Sequence, residues 1–370
     1  MRVIIFSNIP SPYFVEYLNE LGKKVDLIAY FERASASDRD SSWDHIDARR
    51  FECHLFNGVP IGAENAFSLK ICSIIKGNKD SLFVFANPTT PTGILGIIFC
   101  KLLNIPYVLQ SEGGLAKNGK GIKEKIKKSL LSGASLYLSG MRPDNDYFIA
   151  YGAPLELVKQ YCFASFHDSD IPSQIISEED KDRIKQRLSI PYKKIVLYVG
   201  RMLPVKGVDV LLNAFYGFDD EVGLYLVGGE MTDEYKRIID HKSIKNYQFV
   251  PHLQLEELKD YYRIADVFVL PTRSDTWGLV INEAMTYGLP IVTTKNCVAG
   301  LELIENSVNG FLVNSEDYEA MNDRIAKLLS DNNLCMEIGK NNFEKIHDYT
   351  FENMASQIYA YLEEYWEELR

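Results

Sequence analysis

The sequence lacks any apolar run that approaches the roughly 18 residues of a membrane-spanning helix. Its longest candidate, TGILGIIFCKLL over 92–103, is broken by Lys101 and reads as a buried helix. The run Val3–Phe6 near the start is too short for a secretory leader and reads as a first buried strand. Paired cysteines are also missing. Cys53, Cys72, Cys100, Cys162, Cys297 and Cys335 are scattered, and none forms a C-x-x-C pair, so neither a zinc site nor a redox motif is indicated. They are expected to be reduced thiols filling small core positions in a cytosolic protein. A net charge of −11 argues against a general nucleic-acid binder. Low-complexity segments and short-period repeats are absent as well.

What is present is a chain of 370 residues, 46% hydrophobic and 25% charged, long enough for two domains with a core in each. Short apolar strands alternate with helical stretches, the pattern of parallel sheets covered by helices on both faces. In the first half, strands are expected at 2–6, 24–31, 81–86, 106–112 and 135–140. In the second half they are expected at 194–200, 223–229, 247–251, 266–272, 289–294 and 310–313. Helices fill the gaps, notably 13–22, the stretch after Pro91, 207–215, 254–265 and 277–288. The polar stretch HDSDIP at 167–172 is the expected boundary. Domains are therefore expected at 1–168 and 169–350, with a terminal helix at 351–370 packing back toward the first. In open α/β sheets, ligands sit outside the carboxyl ends of the strands. That directs attention to the loops at 7–13, 86–92, 111–121, 200–207, 229–233, 251–253 and 272–278.

Two of these loops carry chemistry. In VGRMLPVKG, Gly200 permits a tight turn, and Arg201 and Lys206 follow the strand end, before a helix. Two cations there suit a diphosphate, whose negative charge grows as it leaves. Two solvated surface charges would look the same in isolation. In SDTWGLVINEAMTYGLPIV, Asp275 precedes a helix, and Thr276, Trp277, Gly278 and Leu279 surround its start, where free amides can bind an anion. Glu283 falls in the second turn and could accept both hydroxyls of a ribose. Asp275 could face sugar hydroxyls, or could simply cap the helix.

In this order the two motifs resemble those of the retaining GT-B glycosyltransferases of family 4. That family carries Gly-Arg with Lys-Gly, then an acid, Phe-Gly, Glu-Ala, Gly and Pro. Here these stand as Gly200-Arg201 with Lys206-Gly207, then Asp275, Trp277-Gly278, Glu283-Ala284, Gly288 and Pro290. The resemblance is close over the second half and extends to the fold order of the whole chain. It implies two Rossmann-like domains facing each other across a cleft, the first for an acceptor and the second for a nucleotide sugar. Arg201 and Lys206 look like the diphosphate clamp, Glu283 like the ribose ligand, and Asp275 like the acid facing the transferred sugar. Aspartate for glutamate and Trp277 for phenylalanine are departures that bear on which sugar is used. The stretch from Ser7 to Glu32 resembles a capsule and exopolysaccharide branch. Glu112 stands near where many relatives have a histidine; it either replaces that group or orders the Gly113-Gly114 turn. His252 follows a strand end, either near the base or sugar or as a surface histidine.

The resemblance further implies a hexosyltransferase that retains anomeric configuration, with a UDP-sugar as the expected donor. No cofactor or metal is expected: the D-x-D pairs Asp38/Asp40, Asp144/Asp146 and Asp168/Asp170 are common by chance in an acidic chain. Residues 117–128 hold six lysines and one glutamate. With Ile122, Ile126, Leu130 and Leu131 at helical spacing, the segment 117–131 is either a solvated helix or a surface for anionic lipid. The latter fits a glycan acceptor linked to lipid, and a cytosolic enzyme peripheral to the inner face of the membrane. The competing functions are a GT-B nucleotide-sugar epimerase and a nucleotide-sugar-binding protein without catalysis.

Overall fold

The computed structural model describes residues 1–35, 46–111 and 121–370. The chain divides into two compact units. One comprises Met1–Asp168 with Tyr349–Arg370, and the other Ser169–Asp348.

The first unit is built on β1 (Arg2–Ser7), β2 (Asp26–Phe31), β3 (Glu52–Leu55), β4 (Val59–Ile61), β5 (Asn65–Phe67), β6 (Leu82–Phe85), β7 (Tyr107–Ser111), β8 (Leu136–Ser139) and β9 (Val158–Gln160). Seven of these form a parallel sheet in the order β3-β2-β1-β6-β7-β8-β9, while β4 and β5 make a separate antiparallel hairpin. The central strands are apolar on both faces because helices cover both, as a doubly wound sheet requires. Phe6 stacks on Phe83 at 6.1 Å and meets Phe85 at 5.2 Å in this core. Each such ring, fully buried, stabilises by ~1.5–3 kcal/mol. Three elements lie beyond those expected from sequence: β3, β9 and the hairpin. Both edge strands are half-exposed or exposed and carry no continuous apolar run, so they gave no signal.

The last helix, Phe351–Glu368, packs on the helix Pro12–Leu21 of the same unit. His167 fastens the join. Its Nδ1 lies 2.9 Å from Glu352 Oε1 and its Nε2 lies 3.1 Å from Glu16 Oε2, and the Phe351 amide donates to the Phe166 carbonyl at 3.0 Å.

The second unit contains β10 (Lys194–Val199), β11 (Val222–Val227), β12 (Tyr247–Val250), β13 (Val267–Leu270), β14 (Ile291–Thr294) and β15 (Gly310–Val313). All run parallel in the order β12-β11-β10-β13-β14-β15. This is the dinucleotide-fold order, and the chain reverses its direction of winding between β10 and β13. In open sheets of this order, ligands bind outside the carboxyl ends of the strands at that reversal.

Candidate functional site

The two loops at that switch point are the two motif loops. After β10, Gly200 donates its amide to the Val227 carbonyl at 2.9 Å, and the chain passes through a turn at Pro204–Lys206. Gly207 then adopts φ +70, and a Cβ there would lie 2.1 Å from the Pro271 carbonyl oxygen. Only glycine lets the β10 loop approach the β13 loop so closely. The Arg273 amide donates to the Val205 carbonyl at 2.8 Å, and Thr272 Oγ1 donates to the same oxygen at 3.0 Å.

This contact sets Lys206 against Asp275, and the two side chains form an ion pair with both partners largely shielded from solvent. Asp275 does not cap the following helix. Its backbone instead pairs with the segment after β14: its amide donates to Asn296 and its carbonyl accepts from Val298 at 3.1 and 3.3 Å. The helix Leu279–Thr286 starts at Gly278, which has φ +103 and no side-chain cap. A Cβ at Gly278 would lie 2.8 Å from Cys297 Sγ and 3.7 Å from Asp275 Cγ, so the carboxylate sits over the helix start. The first helical amide with an intrahelical acceptor is that of Ile281, which reaches Gly278. The amides of Gly278, Leu279 and Val280 precede it at the positive end of the helix.

The side chain of Trp277 is buried, and its Nε1 donates to Asn282 Oδ1 at 2.8 Å. Its carbonyl accepts from the Ala299 amide at 2.9 Å. Tryptophan in place of phenylalanine is therefore absorbed within the interior, with Asn282 as the polar partner that an indole N–H needs when buried.

Glu283 keeps part of its surface accessible, yet protein atoms surround its carboxylate. Burial pushes its pKa up, and a hydrogen bond from the Tyr262 hydroxyl at 2.7 Å partly offsets that rise. Tyr262 in turn stacks on Tyr287, with centroids 5.6 Å apart and planes 3° apart. A buried carboxylate with one fixed donor still has lone pairs to offer.

Arg201 and His252 are exposed, and among the described residues the Arg201 guanidinium forms no ion pair. Thr276 is exposed at the loop tip and Leu279 half-buried. Glu112 lies outside the described residues, as do Asp38 and Asp40. Of the other D-x-D pairs, Asp144 is fully buried and accepts from Ser111 Oγ at 3.3 Å, while Asp168 and Asp170 belong to a short 3₁₀ turn. Among the described residues, one group has the composition and closeness of metal ligands: Glu20, His167 and Glu352. Lys23 already pairs with Glu20 there, and Arg49 with the adjoining Glu16.

The first unit has its own switch point between β1 and β6, and its polar lining gave no motif in the sequence. Asn87 Nδ2 donates to Ser7 Oγ and to Asn8 Oδ1, both at 2.9 Å, and Asn8 Nδ2 reaches Glu64 Oε2 at 3.3 Å. Arg273 was also silent in the sequence reading, though it is bonded to Asp209 and Glu316. The large cavity of the second unit, about 600 Å³, lies elsewhere. It is lined by Lys194, Asp266 and Pro290, at the amino ends of β10, β13 and β14; Gly288 and Pro290 close the second motif, but none of the candidate binding or catalytic residues reaches it.

The lysine segment is partly described. In the helix Ile122–Leu131, Leu131 is buried and Leu130 half-buried, whereas Ile122 and Ile126 are 77% and 63% exposed beside Lys123, Lys125 and Lys128. The four apolar residues thus do not form one buried face. Lys127 instead lies over the rings of Tyr147 and Tyr151, at 4.6 and 4.5 Å. Among the described residues, no helix is long and apolar enough to cross a membrane.

Two doubly wound parallel α/β units define a protein with the GT-B glycosyltransferase fold. Residues 180–345, most of the second unit, match the family model of glycosyl transferases group 1. Among solved structures, the chain is similar to Anabaena HepE in complex with UDP, with a TM-score of 0.76 at 19% identity over 98% of this chain and 100% of that one. A Rickettsia africae glycosyltransferase is equally similar, with a TM-score of 0.76 at 16% identity over 100% and 98% of the two chains. Among curated relatives, the D-inositol 3-phosphate glycosyltransferase of Xylanimonas cellulosilytica is 29% identical over 53% of this chain and 49% of its own length. The sulfoquinovosyl transferase of Arabidopsis thaliana is 25% identical over 96% of this chain and 72% of its own. The chain spans about half the length of the D-inositol 3-phosphate glycosyltransferases it matches.

Proposed function

We propose that this protein is a retaining hexosyltransferase that uses a nucleotide sugar. The observation that carries the reading is the convergence of both motif loops on the β10/β13 switch point, with Lys206 and Asp275 in contact. Arg201 and Lys206 bind the diphosphate, Glu283 accepts the ribose hydroxyls, and the amides of Gly278 to Val280 face an anionic oxygen. In the resting site Asp275 neutralises Lys206; when the donor binds, the diphosphate competes for the ammonium and the carboxylate turns to the sugar hydroxyls. A bond then forms from the acceptor oxygen to the anomeric carbon while the bond to the diphosphate breaks. The leaving phosphate takes the acceptor's proton, and the two cations stabilise the growing charge. No step requires a covalent nucleophile or a metal.

UDP is the favoured nucleotide, in keeping with the UDP complex of the similar Anabaena protein. Asn8, Asn87 and Glu64 supply the hydroxyl-binding groups on the acceptor side, with a glycan as acceptor. The exposed Ile122 and Ile126 among lysines suit a peripheral contact with anionic lipid, hence a lipid-linked acceptor in surface polysaccharide synthesis.

A thermal-shift screen of UDP-, GDP- and dTDP-sugars tests the donor, since a ligand that binds the folded state raises the melting temperature. Turnover of the stabilising sugar must then depend on an added acceptor. Release of sugar without acceptor would point to an epimerase or hydrolase. Binding without any turnover would leave a nucleotide-sugar-binding protein. For the membrane contact, sedimentation with vesicles should favour anionic over neutral lipid, and equal binding to both would remove it.

A further inference from the structure

Arg273 stands in the loop after β13, between Thr272 and Ser274, and its guanidinium has five N–H donors. All five are used. Nη1 and Nη2 form a fork on Asp209 at 2.8 and 2.6 Å. Nη1 also donates to the Pro204 carbonyl, and Nε and Nη2 meet the two oxygens of Glu316, the latter at 3.0 Å. Pro204 opens the turn that carries Lys206, Asp209 lies in the first turn of the next helix, and Glu316 precedes the helix Tyr318–Ser330. One planar group therefore ties three separate segments to the loop that carries Asp275.

Two features separate this arginine from a ligand-binding one. Its donors are saturated and its two carboxylate partners exceed its own charge, so nothing remains for a phosphate. Arg201, by contrast, is exposed and unpaired among the described residues. Second, Glu316 holds φ +69, a left-handed conformation that a non-glycine residue adopts only when its surroundings enforce it. The side chain of this same residue accepts two hydrogen bonds from Arg273.

We propose that Arg273 is a positioning residue for the donor site: it fixes the Pro204–Asp209 turn against the Ser274–Gly278 loop so that Lys206 and Asp275 are held in register. The proposal rests on reading that loop pair as the nucleotide-sugar site. Lysine at 273 keeps the charge but cannot reproduce the fork, because an ammonium is a single point with three donors. Asp209→Asn breaks the same link from the other side.

The test combines amide hydrogen exchange with UDP titration on the full chain. In Arg273→Ala, amides over 205–207 and 274–278 are expected to exchange about tenfold faster or more, while those of β10 and β13 stay protected. UDP affinity is expected to fall about tenfold or more, since small misplacements of binding groups are costly. Arg273→Lys should recover only part of either effect, and Asp209→Asn should reproduce both without adding to Arg273→Ala. Unchanged exchange in the two loops, or a uniform rise across the unit with UDP affinity intact, would overturn the proposal. If the wild type binds no UDP, the donor-site reading fails, and the exchange comparison still decides whether Arg273 sets the loops.

Discussion

Glu283, the proposed ribose ligand, is where the function proposed for a residue and its effect on stability pull in opposite directions. Burial raises its pKa above the ordinary 4.5, and the Tyr262 hydroxyl only partly compensates. An acid raised in the folded state imposes no penalty below its ordinary pKa, and the penalty grows as pH rises through the folded value. Glu283→Gln is therefore expected to melt higher than wild type at pH 7, by about 2–4 °C for each kcal/mol removed. The gap should close below about pH 4.5. Calorimetric melting across pH checks this; a variant that melts lower at neutral pH would mean that the carboxylate has stabilising partners unaccounted for. Arg201 is the opposite case. Among the described residues its guanidinium has no ion-pair partner to lose, so Arg201→Ala should leave the melting temperature within about 1 °C; with the proposed role at the diphosphate, turnover should fall about 10²-fold or more, as loss of a transition-state cation does.

At the scale of elements, the start of the helix Leu279–Thr286 depends on Gly278. Its φ of +103 and the 2.8 Å approach to Cys297 Sγ are two separate demands. Gly278→Ala should cost more than about 2 kcal/mol. Adding Cys297→Ala should relieve the clash and recover only part of that cost, because the backbone strain remains; full recovery would mean that φ imposes no constraint. In the first unit, the terminal helix is held through His167. Burial opposes its charge, but the bonds to Glu352 and Glu16 prevail and raise its pKa above 6.5. Glu20 on the same helix as Glu16, Lys23 just past the end of that helix and paired with Glu20, Arg49 paired with Glu16, and the ring of Phe351 also lie around it. A histidine raised in this way adds stability that is fully present below its ordinary pKa and is lost as pH rises through the folded value. His167→Ala should therefore cost about 1–3 kcal/mol at pH 6 and clearly less at pH 9. A cost independent of pH would assign the effect to packing on Phe351.

For the whole molecule, the parallel architecture was legible because strands buried on both faces are continuous apolar runs, as RVIIF, LFVF and KIVLYV are. The edge strands β3 and β9 were not legible, since exposure removes that pattern. The motif loops could be read from Gly200, Arg201, Lys206 and the Asp275–Glu283 spacing. Their mutual arrangement could not, because it is made between distant residues: Arg273 meets Asp209 across 64 positions and Glu316 across 43. The fate of Trp277 was equally hidden, since its partner Asn282 gives no signal of its own in the sequence. What decides the proposed site is whether the β10/β13 loops hold a nucleotide through Glu283. Isothermal titration of UDP into wild type and Glu283→Ala measures this directly. Wild type is expected to give a saturable 1:1 isotherm, and the variant a loss of affinity of about tenfold or more. Equal affinity in the two proteins would contradict it.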